Sequence, residues 1–328
     1  MKYHLGLDVG GTNLAAGVVT ERYEIISRKS VPSGAGRSLE EIVRAMADVS
    51  GAALTAVGLS EADVEYWGIG MPSYINPETG LLVHANCFGW RNVAILDALA
   101  RHTKLPVVVE NDANCAAYGE ILAGAGKDYD NAVMLTLGTG VGGGIILNRR
   151  IYAGADGMGG ELGHTKLVYN GRQCTCGQYG CMEAYCSARA LAGMTREEMA
   201  AAPGRDSLLW EACGGVPEAL TVRQIFDAWE QKDPLAEKMV DQYVEYLTAG
   251  MSTFITIFRP EIIILGGGVS NAGEAFLEKI NRRLGAQTFA GMEIGVPRVI
   301  RAKLGNDAGI IGAAMLRPRK QQSIKKRK

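Results

Sequence analysis

"YHLGLDVGGTNLAAGVV", from Tyr3 to Val19, decides the fold: a strand-forming run reaches Asp8, breaks at Gly10, Gly11 and Thr12, and resumes apolar to Val19. Two such runs around a short glycine tip predict a β-hairpin with a functional tip. The pattern returns in "NAVMLTLGTGVGGGIIL", from Asn131 to Leu147, as strand, glycine turn and strand around Gly138 to Gly144. A third break, Gly266–Gly268, follows the branched run "PEIIIL" and feeds an amphipathic helix from about Gly273 to Leu284.

Readable αβ units lie between these breaks. "SLEEIVRAMADVSGAAL" opens with a Ser38 cap, acidic residues in its first turn and apolar residues at helical spacing, and the strand "VEYWGIGMP" follows. "NVAILDALARHTKLPVVVENDANCAAYGEILAG" predicts a helix to His102, a strand over Pro106–Glu110 and a helix over Ala113–Ala123, with Asn111 and Asp112 at the strand end. The stretch Gly193–Gly215 reads as an irregular, partly helical insertion, followed by helices over Thr221–Glu230 and Pro234–Phe258. Hairpins followed by αβ units, twice over, predict an α/β protein of two domains with a cleft between them. The expected division is 1–112 plus 305–328 for a small domain and 113–304 for a large one, the chain returning near Leu304 to make a last helix from "NDAGIIGAAML".

Composition sets the outer limits. A chain of 328 residues, 47% hydrophobic and with a formal charge of −1, has room for two domains with substantial cores. Met1 and Lys2 lead directly into "YHLGLDVGG" without a basic and then apolar leader, and no apolar run reaches the roughly 20 residues of a membrane span, so a cytoplasmic protein without a membrane partner is expected. The tail "RPRKQQSIKKRK" holds seven basic residues and no acidic ones, which leaves the rest near −8; it reads as a solvated end rather than a nucleic-acid contact.

The glycine turns carry the first chemistry. "GTGVGG" matches the dinucleotide pattern G-x-G-x-x-G, but "GIILNRRIYAG" continues as strand and turn where that pattern must open a helix, so a nicotinamide site is not expected. Glycines let several backbone N–H groups approach a polyphosphate, and two such tips can share one nucleotide; alternatively they serve only as tight turns. Asp8 before the first tip and Thr12 within it favour the phosphate role, since a carboxylate there can hold hydrated Mg²⁺.

"GGELGHTKLVYNGRQCTCGQYGCMEAY", from Gly159 to Tyr185, carries the second. Seven cysteines, an odd number in a chain with no oxidising compartment, point to metal binding or burial rather than disulfides. Cys174, Cys176 and Cys181 have the spacing C-x-C-x4-C, and with His164 they make a closed Cys₃His set, which predicts a structural zinc with no open position. Cys87, Cys115, Cys186 and Cys213 are scattered and expected to be buried thiols. A metal so placed also fixes Glu161 and Glu183, and two rigid carboxylates with an imidazole can accept hydrogen bonds from vicinal hydroxyls, as sugar recognition needs. Asp112 by itself supports two readings, a helix N-cap and a general base.

With "ENDANCAAYGE" and "ILGGGVS", the motifs "DVGGTN", "LGTGVGGG", "GGELGH" and "CTCGQYGCMEAYCS" resemble, in order and over nearly the whole chain, those of the ROK family (repressor, open reading frame, kinase). That resemblance implies the two-domain actin-like ATPase fold, which is ribonuclease H-like, and an ATP-dependent kinase acting on the 6-hydroxyl of a hexose. Glucose is the expected sugar and a homodimer or higher homo-oligomer the expected assembly. It implies Asp112 as catalytic base, Asn111, Asp112, Glu161, His164 and Glu183 as sugar contacts, and His164, Cys174, Cys176 and Cys181 as zinc ligands. It implies a nucleotide site of Asp8, Gly10, Gly11, Thr12, Asn13, Gly138, Thr139, Gly140, Gly266, Gly267 and Gly268, with Mg²⁺ beside it. Gly159 departs from the alanine more often found there, and the insertion near Gly193–Leu220 has no counterpart in the motifs; both bear on which sugar is taken, and allose, fructose, mannose and N-acetyl amino sugars stay open. A sugar-binding regulator is the competing class, but only seven residues precede Asp8, too few for a DNA-binding domain there, and no nucleic-acid partner is expected.

Overall fold

Strands β1 (Tyr3–Val9), β2 (Asn13–Thr20), β3 (Ile25–Pro32), β4 (Val64–Met71), β5 (Tyr74–Ile75), β6 (Leu82–Ala85), β7 (Trp90–Val93) and β8 (Val107–Asn111) occupy the N-terminal part of the computed structural model, which describes residues 2–34, 36–76, 79–85, 88–201 and 206–317. The main sheet there has the order β3-β2-β1-β4-β8: β1, β2 and β3 form an antiparallel meander, while β4 runs parallel to β1 and β8 parallel to β4. β5, β6 and β7 form a small antiparallel sheet of their own. A second large sheet repeats the plan with β9 (Ala132–Leu137), β10 (Val141–Leu147), β11 (Arg150–Ile151), β12 (Ile262–Gly266) and β13 (Arg298–Arg301), in the order β11-β10-β9-β12-β13. The resemblance between the two glycine hairpins is therefore architectural: in each sheet the turn joins the central strand to its antiparallel neighbour, and a parallel strand lies on the other side.

The chain divides into two compact units, 1–127 with 151–159 and 306–328, and 128–150 with 160–305. The first crossing thus follows Lys127 rather than Asp112, for a packing reason. The last helix, Asp307–Ala314, lies backbone against backbone on β4 and on the helix Asp112–Ala123. A Cβ on Gly68 of β4 would stand 1.8 Å from the Ala313 carbonyl oxygen, and one on Gly312 would stand 1.8 Å from that of Cys115. Only glycine permits that approach, so the helix that follows Asp112 stays with the first unit.

Each unit has its own core. In the first, the helix Leu39–Thr55, with the Ser38 capping box read from the sequence, buries Ile42, Val43 and Met46 among Leu7, Leu14, Trp67 and Ile69. In the second, the long helix Pro234–Phe258 buries Tyr243, Leu247, Met251 and Phe254 against Phe276 and Ile225, and the Tyr243 hydroxyl donates to the Cys186 carbonyl at 2.6 Å. The described part of the expected insertion belongs to this core: the helices Ala188–Ala201 and Leu208–Ala212 contribute Met194, Met199 and Leu209 to it. Cys115, Cys186 and Cys213 are buried as expected, whereas Cys87 and residues 318–328 of the basic tail lie outside the described residues. No described helix is long and apolar enough to cross a membrane.

Candidate active site

The tip between β1 and β2 is exposed at Gly11, Thr12 and Asn13 but held firmly below. Gly10 N donates to the Asn13 carbonyl at 2.9 Å, and the Gly10 and Thr12 carbonyls both accept from Ser33. Asp8, two residues before Gly10, pairs with Gly70 of β4 and faces the first turn of the helix Asp307–Ala314, where a Cβ on Gly309 would stand 2.8 Å from its Cγ. Burial and then the Asp112 carboxylate push the Asp8 carboxyl up to about 7, with Arg28 opposing them. A half-ionised acid facing a second acid is a site that a divalent cation would relieve, so these residues fit the Mg²⁺ expected from the sequence.

Asn111 and Asp112 end β8 and begin the helix Asp112–Ala123. The cap belongs to Asn111, whose Oδ1 accepts from Ala113 N at 2.9 Å and Asn114 N at 3.2 Å. The N-cap reading of Asp112 is thereby corrected: Asp112 is the first helical residue, and its Oδ1 accepts from Ala113 N at 2.9 Å, which fixes the plane of the carboxylate. With its carbonyl engaged, Asn111 offers its amide NH₂ to a ligand. Asp8, near the end of β1, and Asn111 and Asp112, at the end of β8, therefore lie at the same edge of one sheet, on either side of β4.

In the second unit, Glu161 precedes the short 3-10 turn Leu162–His164, and the Cys174–Cys181 loop folds back as a knuckle through bridges between Lys166 and Cys181 and between Gln173 and Tyr179. The ligand atoms of His164, Cys174, Cys176 and Cys181 all lie within 4.8 Å of one another. The Cys174 sulfur is 3.7 Å from His164 Nδ1, and the Cys176 and Cys181 sulfurs are 3.7 Å apart. A regular tetrahedron with Zn–S bonds of about 2.3 Å has edges of about 3.8 Å, so the set fits zinc. Lys166 Nζ, 3.6 Å from Cys181 Sγ, would offset the surplus negative charge of three thiolates around a bound cation. Nδ1 faces the cluster, which leaves His164 Nε2, on the far edge of the ring, to meet a ligand.

Glu183 is the joint of this unit. It is 8% exposed, and its Oε2 accepts from Val141 N, the first residue of β10, at 3.1 Å. Its Oε1 accepts from the Thr175 hydroxyl and lies 3.4 Å from Cys174 Sγ. Burial alone would raise this carboxyl, but the Thr175, Val141 and Cys174 hydrogen bonds and the nearby His164 hold it below the usual range. The knuckle and the Gly138–Gly140 turn are thus tied through one carboxylate. A Cβ on Gly140 would stand 2.4 Å from Glu183 Oε2. If the nucleotide and sugar expected from the sequence bind here, Gly140→Val should raise KM for both together, each by about tenfold or more, through displacement of Glu183 as well as crowding of the turn; steady-state kinetics on both check this.

The third break lies close to the second. Gly266 ends β12, and Gly267, at φ +80°, faces the end of β9, where a Cβ would stand 2.4 Å from the Leu137 carbonyl oxygen. Gly268 and Gly267 are exposed beside this strand end, and the helix Glu274–Gln287 follows the short turn Gly268–Ala272. The structure thus gathers Asp8, Gly10, Gly11, Thr12, Asn13, Asn111 and Asp112 in the first unit, and Gly138, Thr139, Gly140, Gly266, Gly267, Gly268, Glu161, His164 and Glu183 in the second. Sequence reasoning missed Ser33, Thr175 and Lys166, which support the tip, Glu183 and the cysteine cluster. Thr175, between two cysteines of the motif, carried the one available signal.

Comparison with known proteins is consistent along the whole chain. A family model described as the ROK family matches residues 4–320. A curated glucokinase of Halalkalibacterium halodurans is 36% identical over 326 residues, covering 99% of this chain and 98% of that one. A curated N-acetyl-D-glucosamine kinase of Haemophilus influenzae is 32% identical, with 95% of this chain and 98% of that one covered. Among solved structures, a ROK family glucokinase of Streptomyces griseus, in complex with glucose and AMPPNP, superposes with a TM-score of 0.79 at 35% identity, covering 95% of this chain and 98% of that one.

Proposed function

Since this chain belongs to the ROK family and has its actin-like fold, we propose that it is an ATP-dependent hexose kinase that phosphorylates the 6-hydroxyl of glucose. The observation that carries this reading is Asp112, whose carboxylate is released from capping by Asn111 and oriented by Ala113 N at the end of β8. The sugar's 6-oxygen attacks the γ-phosphorus of ATP, its proton passes to Asp112, and the bond from that phosphorus to the bridging oxygen breaks to give ADP. Such a transfer needs in-line positioning and charge neutralisation more than covalent catalysis. Asn111, Glu161, His164 and Glu183 contact the sugar hydroxyls. The Gly10–Asn13 and Gly138–Gly140 turns approach the phosphates, and Gly266–Gly268 lies beside the adenosine. Mg²⁺ held near Asp8 would neutralise phosphate charge, and a zinc held by His164, Cys174, Cys176 and Cys181 would give the knuckle its order.

Glucose is favoured over other hexoses by the 36% identity to a glucokinase, against 32% to an N-acetyl-D-glucosamine kinase. A cytoplasmic homo-oligomer that binds no nucleic acid completes the reading. An assay coupled to ADP release, run over glucose, mannose, fructose, allose and N-acetylglucosamine, is expected to give glucose the highest kcat/KM; a higher value for any other sugar reassigns the substrate.

The raised carboxyl of Asp8 makes a prediction about pH. Its carboxylate must be ionised to hold a cation, and below about pH 7 it is mostly protonated. The Mg²⁺ concentration for half-maximal rate is expected to rise about tenfold per unit as pH falls below that value and to level off above it. A Mg²⁺ requirement that is constant from pH 6 to 8 would remove Asp8 from the cation site.

A further inference from the structure

Ser33 stands outside every motif, yet it is 1% exposed and is bonded to both flanks of the first glycine tip. Its N–H donates to the Thr12 carbonyl at 2.8 Å, and its hydroxyl donates to the Gly10 carbonyl at 2.6 Å. All peptide bonds of the described chain are trans, and in a trans peptide the C=O and the N–H point to opposite sides. Turning the Gly10 oxygen toward Ser33 therefore turns the Gly11 N–H away from it. Turning the Thr12 oxygen the same way does the same for the Asn13 N–H. The Gly10 carbonyl held on Ser33 leaves the Gly11 N–H on the opposite side of the exposed tip, where it can meet an anion, whereas the Asn13 N–H lies on the edge whose carbonyl accepts from Gly10 N.

We propose that Ser33 is a positioning residue for the phosphates of the nucleotide: it touches no substrate, but its hydroxyl sets the Gly10–Gly11 peptide plane that aims the Gly11 N–H at them. This rests on the kinase reading and adds to it a residue that acts through the backbone. The Gly10 carbonyl needs the hydroxyl, because glycine has no side chain to hold its own plane, and Pro32 before Ser33 has no N–H to offer. The Thr12 carbonyl needs only the Ser33 backbone, so substitution at 33 loosens one plane of the two.

The test uses the full-length protein with Ser33→Ala and Ser33→Thr. Ser33→Ala is expected to raise KM for ATP, and the dissociation constant of ADP measured by calorimetry, by about tenfold, with the glucose dissociation constant within about twofold of the parent. Ser33→Thr, which keeps the hydroxyl, is expected to restore most of the nucleotide affinity. The proposal is overturned if Ser33→Ala leaves ADP affinity unchanged. It is equally overturned if nucleotide and glucose affinities fall together with the melting temperature, since that marks a structural serine, or if a folded Ser33→Thr is no better than Ser33→Ala. Should the parent protein phosphorylate no sugar, the kinase reading itself fails, whereas loss of this inference alone leaves the parent's turnover intact.

Discussion

Asp112→Asn is expected to lower kcat by about 10²- to 10⁴-fold while leaving the glucose dissociation constant within a few-fold of the parent value. The expectation comes from the division of labour at the end of β8. Asn111 caps the helix, so the Asp112 substitution removes no cap, and the amide oxygen of asparagine can still accept from Ala113 N as Asp112 Oδ1 does. Fold and sugar contact should persist; the proton acceptor does not, and a positioned base is worth about 10²–10⁴ in rate. The substitution also relieves Asp8 of a neighbouring negative charge, so the Asp8 carboxyl should titrate at lower pH in the variant, and the Mg²⁺ requirement should become less steep near neutrality. Near-normal kcat in Asp112→Asn would mean that the base lies elsewhere.

Cys176→Ser is expected to remove about one zinc per chain and to raise the glucose KM by about tenfold or more, although Cys176 need not touch sugar. The thiol of Cys174, pushed by burial to about 12 without a metal, shows the difficulty of ordering this loop otherwise: thiols so held stay protonated at neutral pH and cannot bind as thiolates unless a cation displaces the protons. Losing one ligand of a closed site should free the knuckle that carries Glu183 and the turn that carries Glu161 and His164. From the sequence alone, nucleotide binding is expected to suffer less, because the glycine turns lie elsewhere in the chain. The Glu183 bond to Val141 N changes that expectation: disorder in the knuckle reaches the Gly138–Gly140 turn through one side chain. KM for ATP should therefore rise as well, by a smaller factor. Elemental analysis and both Michaelis constants check it; a variant without metal that keeps parental glucose affinity would show that the metal does not hold the pocket.

The parts of this site that were legible in the sequence are those built from local pattern. Both glycine hairpins, the Ser38 capping box and the Pro234–Phe258 helix follow from strand formers, turn residues and helical spacing within a few residues of one another. The clustering of His164, Cys174, Cys176 and Cys181 was legible because close spacing among glycines makes poor core. What the sequence did not show depends on contacts distant in the chain. Glu183 looked like a free sugar contact, yet it also holds a backbone N–H 42 residues away. Ser33 belongs to no sequence motif, and only the meander of β1, β2 and β3 brings it under the tip 23 residues earlier. The division after Lys127 rests on glycines whose missing side chains let two helices and β4 touch, and a contact between absent side chains has no periodicity to betray it.

The central claim, transfer of the γ-phosphoryl group of ATP to the 6-hydroxyl of glucose, is tested most directly by the identity of the product. Purified protein incubated with ATP, Mg²⁺ and glucose should yield ADP and one phosphorylated sugar in equal amounts, and in the NMR spectrum of that sugar the phosphorus should couple to the two protons on C6. Release of ADP with no phosphorylated sugar, or phosphorus coupled to the proton on C1, would contradict the account.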